Sequence, residues 1–205
     1  DLHYSLHSFP TRRSPICGHI QDDNTPGDHL VTLALQDAYF HVPVHPASQK
    51  FLRFVVNGQH FQFRVLPFGL ATSPRVFTKV LAPVVAHLRL DGLSVYPYLD
   101  DWLLCASSLS QAHLDLEFLL GILQRLAFLV NLGKSSLVPA QEKIFIGARI
   151  NTLLGRVFLT PSKIAVIHQA VSHLLSRDCL DARGWLRVQG LLAATTALVP
   201  WARFH

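Results

Sequence analysis

Asp100 and Asp101 stand side by side between two short apolar arms, Leu93-Ser94-Val95 and Trp102-Leu103-Leu104. Leu93 to Ala106 therefore reads as a β-hairpin with the acidic pair at its turn. Adjacent carboxylates repel one another and are costly beside apolar walls. Such a pair can stand in water as an ordinary turn, where aspartate is common. Alternatively a divalent cation offsets the repulsion, and Mg²⁺ takes carboxylate oxygens. Two-metal phosphoryl transfer uses carboxylates of this kind to hold ions about 3.5–4 Å apart. The company the pair keeps decides between the two.

The rest of the chain is patterned as alternating hairpins and helices. Residues 1–29, rich in Pro, Ser, His, Asp and Gly, show no periodicity and read as loop or an incomplete subdomain. Leu30 to Leu35 is a short apolar run. Phe51 to Val56 and Phe61 to Val65 read as a hairpin joined through Asn57-Gly58. Ser73 as cap and Pro74 as first residue open a helix, with Val76, Phe77, Val80, Leu81, Val84, Val85 and Leu88 on its face. Pro83 is a kink position within it, and Asp91-Gly92 ends it. Gln111 to Phe128 reads as a helix with Leu114, Phe118, Leu119, Ile122, Leu123 and Leu126 inward. Val130 and the run Lys143 to Ile150 read as short strands. Thr160-Pro161 starts a long helix with Ile164, Ile167, Val171, Leu174 and Leu175 on one face, and a further helix spans Ala182 to Leu198. The plan is α+β with a largely antiparallel sheet backed by helices.

Half the residues are apolar and 15% are charged, enough to bury a substantial core and far from a disordered composition. A net charge of +5 favours a polyanionic partner, nucleic acid first. No apolar run reaches the length of about 18 residues that a membrane span needs, and no signal peptide opens the chain, so an intracellular protein is expected. Cys17, Cys105 and Cys179 are too sparse for a disulfide framework. The twelve histidines, among them His3, His7, His19, His168 and His173, form no set with zinc-ligand spacing. With no methionine in the chain, an excerpt or a conceptual translation of part of a longer protein is expected.

Five segments, in order, carry a resemblance. Tyr98-Leu99-Asp100-Asp101 matches the YxDD motif of reverse transcriptases. Leu66-Pro67-Phe68-Gly69-Leu70, continuing through Ser73-Pro74 to Phe77, resembles the LPFGL..SP..F segment of that family. Asp37-Ala38-Tyr39-Phe40-His41-Val42-Pro43 resembles the run that ends its first palm motif. Val130-Asn131-Leu132-Gly133-Lys134-Ser135 is similar to its later VN..KS segment, and Phe145-Ile146-Gly147 to its FLG primer grip. Five motifs in order are far more specific than one. Phe51 to Phe54, Arg75 to Lys79, Asp100 to Leu103 and Trp201 to His205 look most like the DIRS-type retrotransposons, the tyrosine-recombinase class.

The resemblance implies a polymerase palm with part of the fingers over residues 30–159, a poorly patterned segment or fingers remnant in 1–29 and the start of thumb or connection helices in 160–205. It implies an RNA-directed DNA polymerase acting on RNA or DNA template-primer and deoxynucleoside triphosphates, with two Mg²⁺ ions and Mn²⁺ as the alternative. Asp100 and Asp101 would hold metal. Tyr39 would gate the incoming sugar against a 2′-hydroxyl, the backbone amides of Asp37 and Ala38 would meet the triphosphate, and Phe68 and Gly69 would pack near template base and nucleotide. Lys134 would protonate the departing pyrophosphate, and Phe145, Ile146 and Gly147 would hold the primer end. A ribonuclease H region of the same polyprotein would lie downstream, since Asp115, Glu117, Glu142, Asp178 and Asp181 lack a matching context.

One position departs from the pattern. The family's first palm-motif aspartate lies five residues before the gating aromatic, and that place holds Ala34. Asp37 cannot stand in for it. Three residues along a strand is about 10 Å, and an odd step turns the side chain to the other face. A crippled catalyst is expected, the alternative being a palm that binds nucleic acid without extending a primer, or a retroelement relic.

Overall fold

The structure is a computed structural model, and it describes residues 27–176, 182–193 and 195. It divides into two compact units: His29–Ala140, and the described residues from Gln141 onward together with Gly27 and Asp28.

The first unit is built on a four-stranded antiparallel sheet. Its strands are β1 (His29–Ala34), β4 (Ser94–Tyr98), β5 (Asp101–Ala106) and β6 (Ser136–Ala140), in the order β4-β5-β1-β6. The two central strands are the most apolar. β5 is buried from Trp102 to Ala106. The edge strands each carry a proline, Pro97 in β4 and Pro139 in β6, which a sheet tolerates only where no ladder donor is needed.

Strand parity sorts the side chains. Val31, Leu33, Trp102, Leu104 and Val95 face two helices, α1 (Ser73–Leu90) and α2 (Leu109–Arg125), and make the core with Phe77, Leu81, Leu88, Leu119 and Leu123. The alternate rungs, including Ala34 opposite Asp101, belong to the other face. Between β1 and α1 lie a 3-10 turn (Ala38–His41), a single helical turn (Pro46–Gln49) and the hairpin of β2 (Arg53–Val56) and β3 (Gln59–Gln62). Asn57 and Gly58 both have positive φ, 50° and 75°, the geometry of the tight hairpin turn expected there.

The second unit is an antiparallel meander of β7 (Glu142–Phe145), β8 (Ala148–Asn151) and β9 (Arg156–Leu159), followed by helices α3 (Pro161–Leu175) and α4 (Ala182–Ala193), which pack on each other. Gly27 and Asp28 are tied to it through Thr152, whose hydroxyl donates to the Asp28 carbonyl at 2.6 Å.

Several expectations change. Ser73 is not the cap of α1. Thr72 holds that place, and the buried Ser73 hydroxyl instead donates to the Pro67 carbonyl at 2.7 Å. The helix runs as one element through Pro83, on its exposed side. α2 starts earlier, capped by Ser108, and its buried face is Ala112, Asp115, Leu116, Leu119, Ile122 and Leu123, so Leu114, Phe118 and Leu126 point outward. Val130 makes a single bridge to Leu35 rather than a strand. Lys143 to Ile150 is a hairpin turning at Ile146-Gly147, while β6 and β9 carried no recognised signal. On α3 only Leu174 is buried. α4 ends at Ala193, and its expected extension to Leu198 lies outside the described residues apart from Thr195, as do residues 1–26 of the N-terminal segment. Among the described residues no helix is long and apolar enough to cross a membrane.

Burial makes the energetic ranking testable. Leu104, 2% exposed on the central strand, should lose about 2–5 kcal/mol of stability on Leu104→Ala. Val138→Ala, at a site 76% exposed, should stay within about 0.5 kcal/mol of wild type. Urea denaturation of both variants checks the difference.

Candidate active site

The acidic pair straddles the end of the β4–β5 hairpin. Tyr98 pairs with Asp101 across the last rung, leaving Leu99 and Asp100 as the two turn residues. Asp100 is therefore in the turn, while Asp101 is the first residue of β5. Leu99 takes φ 55°, a conformation that costs a side chain of its size energy and that tight hairpin turns demand. Both aspartates keep contact with solvent.

The site's charges are close enough to act on each other. The walls around Asp101 push its carboxyl above the usual carboxylate range, the neighbouring charge of Asp100 adds to that, and the Lys134 ammonium opposes it. The Tyr98 hydroxyl is pushed up by burial and by Asp101. The Tyr39 hydroxyl is pushed up by burial, then by Asp100 and Tyr98. Tyr39, Tyr98, Asp100, Asp101 and Lys134 thus come from three separate stretches of chain into one electrostatic neighbourhood.

Each arrives by a local route. The Leu35 amide donates to the Asp100 carbonyl at 2.8 Å, which stitches the end of β1 to the acidic turn. After β1 the chain reverses through Asp37, in the left-handed region at φ 48°, into the 3-10 turn. Asp37 is exposed, and its side chain makes no capping bond. It lies past the strand, as the spacing requires, and does not replace a carboxylate at 34. Ala38 and Tyr39 are buried in the turn, whose opening amides have no partner within the turn itself. The Tyr39 ring packs against Phe68 at 4.9 Å between centroids and edge-on to Phe77 at 5.4 Å, while Phe40 meets Phe68 at 5.2 Å. Phe68 itself is 57% exposed, an aromatic face beside the tyrosine. Gly69, at φ 84°, turns the chain there.

Ala34 is the informative position. It lies directly opposite Asp101 in the β1–β5 register. Opposed residues of antiparallel strands project to the same face with Cβ atoms about 5 Å apart. A carboxylate at 34 would stand beside Asp101, and a methyl group stands there instead. Among the described residues no three His, Cys, Asp or Glu side chains are grouped to hold a metal ion. Two solvent-facing carboxylates, that of Asp101 raised by its walls and then by its neighbour, suit one Mg²⁺, an ion commonly held by one or two carboxylates together with substrate phosphates. They do not make the donor set for a pair of ions.

Phe145, Ile146 and Gly147 belong to the second unit. Phe145 is buried at the end of β7, and Ile146 and Gly147 form the two-residue turn at φ 49° and 70°. Lys163 reaches back from α3 to donate to the Ile146 carbonyl at 3.0 Å. Sequence reasoning missed Lys163, and it treated Asn131 and Ser135 only as marks of a motif. Both of the latter hold the end of β1.

Comparison with known proteins bears on family and fold. The family model described as reverse transcriptase (RNA-dependent DNA polymerase) matches residues 1–150. Protein P of duck hepatitis B virus (isolate brown Shanghai duck S5) is 30% identical over 147 residues, covering 70% of this chain and 18% of the relative. The genome polyprotein of Petunia vein clearing virus (isolate Shepherd) is 27% identical over 147 residues, covering 65% of this chain and 6% of the relative. The chain thus spans less than a fifth of the length of these curated relatives. Among solved structures, the foamy viral protease-reverse transcriptase dRH in complex with ds DNA superposes with a TM-score of 0.67 at 22% identity, over 82% of this chain and 27% of that one. The foamy viral protease-reverse transcriptase in complex with RNA/DNA hybrid gives 0.65 at 23%, over 82% and 21%. The shared fold is that of polymerase palm and fingers.

The raised Asp101 carboxyl has a consequence for stability. An acid whose folded pKa is raised contributes stability below its unfolded value, near 3.8, and loses it as pH rises through the folded value. Asp101→Asn should therefore raise the melting temperature at neutral pH and reduce the stabilisation that wild type gains on acidification toward pH ~4. Thermal melts across that range would show the opposite sign if the carboxylate were net stabilising.

Proposed function

The chain belongs to the reverse transcriptase (RNA-dependent DNA polymerase) family, and from that premise we propose that it is the palm-bearing piece of an RNA-directed DNA polymerase whose catalysis is crippled at one position. The observation that carries the reading is the rung that sets Ala34 against Asp101.

In this reading Asp100 and Asp101 hold Mg²⁺, with Mn²⁺ able to replace it. When bound, the metal would lower the pKa of the attacking primer hydroxyl and stabilise the leaving group. The remaining work falls to the chain's own residues. Tyr39, braced by Phe68 and Phe77, closes the space beneath the incoming sugar and refuses a 2′-hydroxyl. The amides of Asp37 and Ala38 meet the triphosphate. Phe68 and Gly69 line the nucleotide and template base. Lys134, within the field of Asp101, supplies the proton to departing pyrophosphate. Phe145, Ile146 and Gly147 hold the primer end. The net charge of +5 favours a template-primer of RNA or DNA.

The segment 1–29 is read as a fingers remnant, 30–159 as palm with part of the fingers, and 160–205 as the start of the thumb. Motif similarity supports a retrotransposon source of DIRS type, with a ribonuclease H downstream in the same polyprotein and an intracellular site of action. A second reading follows from the same rung. With one carboxylate gone, the palm binds template-primer without extending it.

Primer extension on a defined RNA template with Mg²⁺ separates these readings. Restoring the carboxylate by Ala34→Asp should raise the extension rate at least ~10³-fold, as expected for an essential group in a catalytic set. Equal extension by both chains would mean that residue 34 is not the metal position. Extension by neither, with template-primer affinity retained, would favour the binding reading.

A further inference from the structure

Residue 34 is clamped by a closed ring of hydrogen bonds on the side of β1 away from Asp101. The Ala34 amide donates to the Ser135 hydroxyl oxygen at 3.0 Å. That hydroxyl donates to the Asn131 carbonyl at 2.7 Å. The Asn131 amide donates back to the Ala34 carbonyl at 2.8 Å, closing the ring. The Asn131 side-chain oxygen also accepts from the Lys134 amide at 3.1 Å, which shapes the turn that carries Ser135. Two residues further on, the Gln36 amide donates to the Leu129 carbonyl at 2.7 Å.

The ladder explains why a side chain is needed. β1 pairs with β6 at Leu30–Ala140 and Thr32–Ser136, with a shift of register between them. A regular continuation would put residue 134 opposite Ala34, but the chain is already turning there. The Ser135 hydroxyl takes the place of the missing backbone rung. A hydroxyl can accept and donate at once, and this ring needs both. On its other side β1 is fixed by the rung to Asp101 and by the Leu35 amide on the Asp100 carbonyl.

We infer that Ser135, seated by Asn131, is a positioning residue for the carboxylate site: its hydroxyl sets the height of residue 34 against Asp101. The inference rests on the reading of residue 34 as a metal-ligand position. A metal site tolerates little error in ligand placement, about 0.5 Å, so loss of this rung should be felt at the ion.

The test is a double-mutant cycle on Mn²⁺ affinity, measured on the full chain by calorimetry with the metal alone. Ala34→Asp should tighten Mn²⁺ binding about tenfold or more while Ser135 is present, and less than about threefold when it is combined with Ser135→Ala, the range that supporting residues around metal sites command. Ser135→Thr, which keeps the hydroxyl, should restore the gain. An equal gain with serine and with alanine at 135 would overturn the inference and leave the metal reading intact, even if Ser135→Ala lowers the melting temperature. No gain with Ser135 present would overturn both. If Ser135→Ala does not fold, Ser135→Cys replaces it, since cysteine keeps the size and weakens both hydrogen bonds.

Discussion

The antiparallel pairing of β1 with β5 is the contact on which the rest of the first unit depends. It joins residues about 70 positions apart in six consecutive rungs, from His29–Ala106 to Ala34–Asp101. One set of alternate rungs supplies the apolar floor under α1 and α2. The last rung delivers the acidic pair to the end of β1, where the chain turns toward Tyr39. A slip of one residue would send Leu33 and Trp102 to the site and Ala34 and Asp101 to the core, which burial of the leucines and tryptophan forbids. Core and site are thus two faces of one register.

On that frame the site's chemistry is electrostatic. Asp100, Asp101, Tyr39 and Tyr98 crowd negative charge and hydroxyl dipoles into a partly walled space, and Lys134 relieves only part of it. Such a site is costly without a cation and well suited to one. The alanine at 34 offers no side-chain oxygen, and the scaffold around it is whole. The Leu35 amide still ties to the acidic turn, and the Ser135 ring still closes on the Ala34 backbone, because these bonds use main-chain groups that any residue at 34 would offer. The departure at 34 is confined to a side chain.

Features with local causes were legible in the sequence. Asn57-Gly58 specified its hairpin because only residues at ease with positive φ suit that turn. Pro74 and Pro161 marked helix starts to within a residue. The YxDD segment identified its hairpin because two apolar arms flank it. Other features had no local cause. β6 is short, half-exposed and carries Pro139, so its strand character comes from the free edge of β1. The face of α2 was misjudged because Leu114 and Phe118 are apolar yet point outward, while Asp115 is buried and bonded to Gln111. Asn131 and Ser135 looked like family marks, and their use appears only when residue 34 is brought to them.

By itself the sequence determined the family, the α+β plan, the turns and the absence of an aspartate five residues before Tyr39. These depend on spacing and on what each residue permits its own backbone. Only the tertiary structure decided that Ala34 stands opposite Asp101, that Tyr39 shares the field of Asp100, and that a serine 101 residues away supplies the rung that holds residue 34. Such pairings are chosen by the burial of many side chains together against the entropy of closing long loops, and no short stretch of sequence carries that sum.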